Sequence, residues 1–252
     1  MRPGTGPVLY CGDPHGSFDH IVASALHTNA SAVVLLGDME PGRPLHEELD
    51  RIHKRVWWIP GNHDADSDDL WIRVWDSSLA DRNVHGRVVT LPDGTRLAGL
   101  GGIFRESVWH PSPGAARGGK PAFRSREAHA ASTPPHERWR GGHARRHWGT
   151  IYADELDRLA DLQADVLVTH EAPGYHPHGF DILDTLAQSM GVRAVVHGHH
   201  HDRLDSSAKW ASQGFASIGI GLRGISAAFL EPNRVRVEVV RQGELDDQRV
   251  GR

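Results

Sequence analysis

The sequence predicts an α/β protein, and three observations carry that prediction. The chain opens in a strand–helix–strand–helix–strand order through residue 64, which calls for a parallel sheet. Ser31-Ala32-Val33-Val34-Leu35-Leu36-Gly37-Asp38 holds five apolar residues in a row and stops at a carboxylate, the pattern of a strand buried on both faces. A second group of apolar runs follows from about residue 165, and these too end in residues able to ligate a metal ion. In open α/β sheets chemistry gathers at the carboxyl ends of strands, so each run delivers a polar side chain to the place where a site forms.

With 252 residues, 38% hydrophobic and 24% charged, the chain can bury a full core as one large domain or two small ones. We read a single domain over residues 1–252 with a basic loop insertion at about 105–150. No apolar run approaches the ~20 residues that cross a bilayer. The first residues lack the apolar core of a secretory signal, so the expected location is the cytoplasm, with no membrane partner. The single cysteine, Cys11, excludes an intrachain disulfide framework. The net charge of −4 gives no overall attraction to nucleic acid or membrane. Nineteen histidines are an unusual number, and histidine is the commonest metal ligand.

In order, Val8 to Cys11 reads as a strand running into Gly12-Asp13-Pro14-His15-Gly16, where Asp13 and His15 can reach one ion from a single loop. Ser17 is placed to cap a helix through about Thr28, with Phe18, Ile21, Val22, Ala25 and Leu26 on one face. The Asp38 strand follows, then a loop from Pro41 to Pro44 and a helix over Leu45 to Arg55. Val56 to Ile59 is a third strand ending in Pro60-Gly61-Asn62-His63-Asp64, and Trp57 and Trp58 within it read as packing residues. Asp66 to Trp75 reads as a short helix, and Val84 to Leu91 with Arg96 to Leu100 as a hairpin.

Arg105 to Thr150 is rich in Pro, Gly, Arg and His and shows little periodicity. Its nine bases and three acids give +6, leaving −10 for the rest of the chain. A long irregular segment of this kind reads as a functional loop, with a solvated insertion as the plainer alternative. Beyond it, Ile151 to Leu162 reads as a helix, Asp165 to Thr169 as a strand ending at His170, and Phe180 to Met190 as a helix. Ala194 to Val196 is a strand ending in His197-Gly198-His199-His200-His201, a cluster that calls for a metal or paired carboxylates. Ala216 to Ile220, Ala227 to Leu230 and Val235 to Val240 read as antiparallel strands, and the tail from Arg241 as frayed.

Taken together, Asp13-x-His15, Gly37-Asp38, Gly61-Asn62-His63-Asp64, His170 and Gly198-His199-x-His201 form an ordered set, each piece following a predicted strand. The set resembles the calcineurin-like metallophosphoesterase superfamily over about residues 8 to 240, outside the basic insertion. The resemblance implies a four-layer αββα sandwich of two mixed β-sheets flanked by helices, with a site for two divalent metal ions. It implies Asp13, His15 and His201 on one ion, Asn62, His170 and His199 on the other, and Asp38 bridging both. His63 would face the substrate without binding metal, oriented by Asp64. Manganese is the metal that the family suggests, with iron or zinc as alternatives that mixed N/O ligands also suit.

Gly37-Asp38-Met39-Glu40-Pro41-Gly42-Arg43 departs from the Gly-Asp-x-x-Asp-Arg-Gly of the protein-phosphatase branch, and Asp64 stands where that branch has Glu. The resemblance therefore implies a phosphodiesterase or phosphomonoesterase acting on a nucleotide or other small organic phosphate, with a metal-bridging water as nucleophile. A metal-dependent nuclease is the alternative, because the insertion's arginines, with Phe123, Trp139 and Trp148, could meet phosphates and stack bases. A protein-binding scaffold of the same fold without activity is the reading from another class. Substrate choice is expected to come from the insertion, with His143, Arg140, Arg145 and Arg146 as the candidate substrate-binding residues.

Overall fold

The computed structural model describes residues 4–246. Ten strands form two five-stranded sheets. In the first, β1 (Gly6–Cys11), β2 (Ala30–Leu35) and β3 (Val56–Trp58) run parallel, and β9 (Ile225–Glu231) and β10 (Arg234–Arg241) extend the sheet antiparallel beyond β1, in the order β10-β9-β1-β2-β3. In the second, β5 (Arg96–Leu100), β6 (Val166–Thr169), β7 (Ala194–His197) and β8 (Ala216–Gly219) are parallel, and β4 (Val88–Thr90) is an antiparallel edge. Both sheets are therefore mixed.

Three apolar cores define four layers. Alternate residues of β1 and β2 point opposite ways, as strand geometry requires. Val8, Tyr10, Ala32, Val34 and Leu36 meet Leu97, Val166, Val168, Ala194 and Val196 in the core between the sheets. Leu9, Cys11, Val33 and Leu35 face outward under α1 (Asp19–His27), α2 (Leu45–Glu48) and α3 (Asp68–Trp75). Every residue of β2 is buried, which is why its sequence is a continuous apolar run. On the far side, α5 (Ala153–Ala160) and α6 (Asp181–Ser189) cover the second sheet through Leu156, Leu159, Leu183 and Leu186. Trp58 lies inside the first outer core with its indole N–H donating to the Leu79 carbonyl, and Cys11 is a buried free thiol.

Several local expectations are corrected. Phe18, not Ser17, sits at the N-cap of α1, and its side chain makes no capping bond. The helix expected over Leu45 to Arg55 stops at Glu48, and a separate 3₁₀ turn covers His53–Arg55. β8 pairs parallel with β7, because the short α7 (Trp210–Gln213) makes a crossover between them. The insertion is docked rather than loose. Val108 and Trp109 enter the core under α5 and α6, Phe123 packs against it, and α4 (Arg126–Ser132) is capped by the Ser125 hydroxyl. Past Arg241 the chain is held as far as Asp246 by Glu244 N–H to the Leu222 carbonyl and Gly243 N–H to Asp246; the rest of the expected frayed tail lies outside the described residues.

Candidate metal centre

Five loops at the carboxyl ends of β1, β2, β3, β6 and β7 converge on the seam between the sheets. They bring together Asp13, His15, Asp38, Asn62, His170, His199 and His201. Ligand atoms of Asp13, His15, Asp38 and His201 lie within 4.8 Å of one another, as do those of Asp38, His170 and His199. His15 Nε2 and His201 Nε2 face each other at 3.1 Å, and Asn62 Oδ1 lies 3.2 Å from His170 Nε2, itself 3.4 Å from Asp38 Oδ2. Asp38 belongs to both groups.

The backbone bends sharply to achieve this. Asp13, His15, Asp38, Glu40, His199 and His201 all have φ between 40° and 70°. That left-handed region is tolerated by Asp, Asn and His better than by other side chains, and its gathering at one place is typical of functional sites. Gly37, at φ 102°, allows the loops to close: a Cβ there would lie 2.5 Å from His170 Nδ1.

The surrounding polar contacts fix each ligand's orientation. His170 Nδ1 donates to the Leu36 carbonyl at 2.7 Å, which leaves the Nε2 lone pair pointing into the cluster. The Glu40 carboxylate accepts from His15 Nδ1 and does the same for that ring. Asp13 is tied by the His199 N–H at 3.0 and 3.1 Å, and Asp38 Oδ1 by the His63 N–H at 2.8 Å.

Buried acids and imidazoles shift one another's protonation here. Burial pushes the Asp13 carboxyl up to about 7 against the pull of His170, and pushes Glu171 up to about 7. Burial opposes the charge on Asp38 as well, but His170 and the His63 N–H outweigh it and hold the carboxyl below its usual range. His170 is pushed up to about 10, with Asp38 and Asp13 overcoming burial. Burial and His170 together pull His199 down to about 3. Two buried carboxylates, an amide oxygen and four imidazoles on one seam form a donor set that fits hard-to-borderline dications, whose charge offsets that of the acids.

His63 stands at the rim, half-buried, its ring 5.9 Å from that of His15. Its Nδ1 lies 2.6 Å from Asp66 Oδ2. Partial burial disfavours a proton on His63, but the Asp66 bond and the Asp38 charge raise its pKa. Asp64, expected to orient His63, does something else. It is fully buried and accepts N–H bonds from Gly61 and Met39 at 2.7 Å and from Asp38 at 3.1 Å. It staples the β2 loop to the β3 loop, and burial followed by the Asp38 charge pushes it up to about 6.

The insertion residues are distributed differently from expectation. Arg140 pairs with Asp76 at 2.6 Å and lies 4.4 Å over the Trp71 ring. His143 is buried, stacked on Tyr152 and edge-on to Trp148. Arg145 pairs with Asp68 at 2.7 Å and donates to the Ala65 carbonyl, clamping the insertion onto the loop after His63. Of the four, Arg146 alone is exposed and without an ion pair among the described residues; its Nε donates to His147. Trp139 and Trp148 pack edge-on against Trp71, and Phe123 stacks on His129, so these rings are engaged within the protein. Glu40 at His15, Asp66 at His63 and Glu171 at 3.9 Å from His199 are neighbours of the candidate site residues that the motif pattern missed. The signal for the first two was spacing alone, two residues after Asp38 and three after His63.

A family model described as calcineurin-like phosphoesterase matches residues 6–203, a span containing every one of these candidate ligands. The chain is a calcineurin-like phosphoesterase. It is 37% identical over 223 residues to an uncharacterized protein of Haemophilus influenzae, covering 88% of this chain and 93% of that one. Among solved structures it resembles TT1561 of Thermus thermophilus, with a TM-score of 0.57 and 17% identity over 94% of this chain and all of that one. A second solved structure aligns with a TM-score of 0.54 at 14% identity, over 92% of this chain and 98% of the other. At such identities the two structures show the shared fold. Membership makes this calcineurin-like phosphoesterase a metal-dependent phosphoester hydrolase in general terms, and no described helix is long and apolar enough to cross a membrane.

Proposed function

We propose that this chain hydrolyses a small organic phosphoester, nucleotides included, at two divalent ions, as a single domain that carries the 105–150 insertion. The observation that carries the reading is Asp38, which belongs to both ligand groups at once. Asp13, His15 and His201 would hold one ion and Asn62, His170 and His199 the other, with manganese first and iron or zinc as alternatives. Such ions supply Lewis-acid polarisation of the phosphate and a more acidic water.

The chain's own groups account for the rest. The Leu36 carbonyl and Glu40 keep the Nδ1 protons of His170 and His15 directed away from the cluster, so both rings present Nε2. The Asp66 carboxylate holds a proton on His63 Nδ1 and raises the basicity of the ring, so Nε2 can carry a second proton to the leaving oxygen. Water adds to phosphorus, the P–O bond to the leaving group breaks, and the products are an alcohol and a phosphate.

The nuclease reading is weaker here, since Arg124, Arg126, Arg140 and Arg145 are matched by Asp157, Glu155, Asp76 and Asp68, and the rings of Phe123, Trp139 and Trp148 are engaged within the protein. The test is Asp38→Asn. Metal analysis and turnover of aryl phosphomonoesters and phosphodiesters, each with manganese, iron or zinc, should show both ions weakened and activity collapsed. Two tightly held ions with parental turnover in that variant would refute the assignment. A parent that binds two ions and turns over no phosphoester would return the scaffold reading.

A further inference from the structure

Arg105 and Arg146 differ from the insertion's ion-paired arginines. Arg105 is half-buried, and its one side-chain hydrogen bond among the described residues runs from Nε to Thr150 Oγ1 at 3.1 Å, leaving both terminal nitrogens unused. Its position is set by rigid neighbours. The preceding Phe104 N–H donates to the buried Glu171, and Ile103 bridges to Thr150. Glu171 lies 3.9 Å from His199 Nε2, and Thr150 follows Gly149, which packs on the Gly61 carbonyl, so these two contacts set Arg105 between the loop of His170 and the loop of Asn62 and His63. Arg146 comes to the same place from the far end of the insertion. Arg145 is clamped to Ala65 and Asp68, and Gly149 packs so closely on the Gly61 carbonyl that a Cβ would lie 2.2 Å from it. The turn carrying Arg146 is thus pinned at both ends to the loop that bears Asn62 and His63.

The positive charge of Arg146 acts unfavourably on Arg105, and neither guanidinium is neutralised by a carboxylate at ion-pair distance among the described residues. An anion between them removes that repulsion and can accept bidentate bonds from both. We propose that Arg105 and Arg146 form an anion seat on the leaving-group side of the metal-ligand cluster, so that the preferred substrate is a phosphoester or phosphoanhydride whose leaving group carries a phosphate of its own. The side follows from His63, whose imidazole is held by Asp66 to protonate the leaving oxygen and whose loop carries the Ala65 and Asp68 contacts that fix Arg145 next to Arg146. In the reaction the water oxygen bonds to phosphorus and the P–O bond to the leaving group breaks with its electron pair. The leaving oxygen takes the His63 proton, the water's proton replaces it, and the second phosphate stays on the arginines until release.

The inference rests on the hydrolase reading, and the experiment separates the two. The metal-loaded full chain is titrated with a non-hydrolysable nucleoside α,β-methylene diphosphate and with orthophosphate. Binding is read by calorimetry and by competition against an aryl phosphoester. The parent should bind the diphosphate analogue at least tenfold more tightly than orthophosphate. Arg105→Gln with Arg146→Gln should weaken the analogue roughly 10–100-fold, the scale of lost charge-assisted bonds, and orthophosphate by less than about threefold. Arg146→Gln alone, an exposed change that leaves the Arg105–Thr150 contact intact, should reproduce the direction at about 3–10-fold. Equal weakening of both anions would mean that the arginines grip the reacting phosphate and would overturn the seat. Equal parental affinity for the two would overturn it too. Tight analogue binding without turnover of any phosphoester supports the seat and refutes the hydrolase reading.

Discussion

Replacing Asp64 tests whether this carboxylate supports metal binding or proton transfer. Its two oxygens accept N–H bonds from Gly61, Met39 and Asp38 between 2.7 and 3.1 Å, in a fully buried position. Hydrogen bonds to a charged acceptor contribute about 1.5–3 kcal/mol each, and a buried donor left without a partner costs about 1–3 kcal/mol. Asp64→Asn keeps the volume and one acceptor oxygen but turns an amide N–H₂ toward a backbone donor. It should cost about 2–4 kcal/mol, which for a chain of this size lowers Tm by roughly 5–15 °C. Because the staple joins the loop of Asp38 to the loop of Asn62, affinity for metal should fall about 10–100-fold, the usual consequence of losing a group that orients a ligand. The assay is calorimetric unfolding together with metal titration and turnover at saturating metal. Activity should recover substantially as metal is raised, since the His63–Asp66 pair is untouched. Normal stability and metal affinity, combined with a kcat that stays low at saturating metal, would refute the staple and return Asp64 to His63.

His63→Ala should retain near-parental metal content and lose roughly 10²–10⁴ in kcat, whereas loss of metal in proportion to activity would make His63 a ligand. Asp66→Asn should lower kcat less than His63→Ala, again with metal retained; parental kcat in this variant would exclude Asp66 from positioning the ring. In the insertion, burial pulls His143 down to about 4 and His147 down to about 3, with Arg126 facing the first and His129, Arg146 and Arg105 the second. Both are neutral when folded and titrate near 6.5 when unfolded. Their stabilising contribution is complete above about pH 6.5 and is lost as pH falls toward those folded values, by on the order of 1 kcal/mol per histidine per pH unit. Partial proteolysis of the insertion should therefore accelerate between about pH 7 and 5, and a flat profile would exclude the histidines as the cause. Glu155, held near 2 because His85 and Arg126 outweigh burial, adds nothing to that window, because its contribution fades only below about pH 4.5.

That these candidate ligands come together was legible because each follows an apolar run. Leu36 before Asp38 and Val196 before the histidine cluster announce strands, and the fold gathers strand ends. What was not legible depended on contacts between segments. Whether Asp64 or Asp66 reaches the His63 ring depends on how the loop turns, and the N–H groups of Met39 and Gly61 claim Asp64 first. The direction of β8 depended on α7, too short to give a periodic signal. The helix at Arg126–Ser132 is a short polar one, secured by the Arg126–Glu155 pair at 2.6 Å across 29 residues, and no local pattern encodes that partner. Arg105 was one base among nine until the positions of Thr150 and Glu171 placed it beside the cluster.

The division of the proposed ligands between the sheets has a mechanical consequence. Asp13, His15, Asp38 and Asn62 stand on loops of the first sheet, and His170, His199 and His201 on loops of the second. The sheets share no strand among the described residues and meet mainly through side-chain packing, with scattered ties at this end such as Gly102 N–H to the Pro60 carbonyl. An ion held from both sides is therefore a rivet across the seam. Occupancy adds RT ln(1 + [M]/Kd) to the folded state, about 2.7 kcal/mol at a hundredfold excess over Kd. The increment should fall unevenly over the molecule: amide exchange should slow most at Leu36, Ile59 and Thr169, at the metal end of each sheet, and least at the opposite end near Ala30 and Ala194. Metal supply would then set how far the two halves can part, as well as how fast the site turns over.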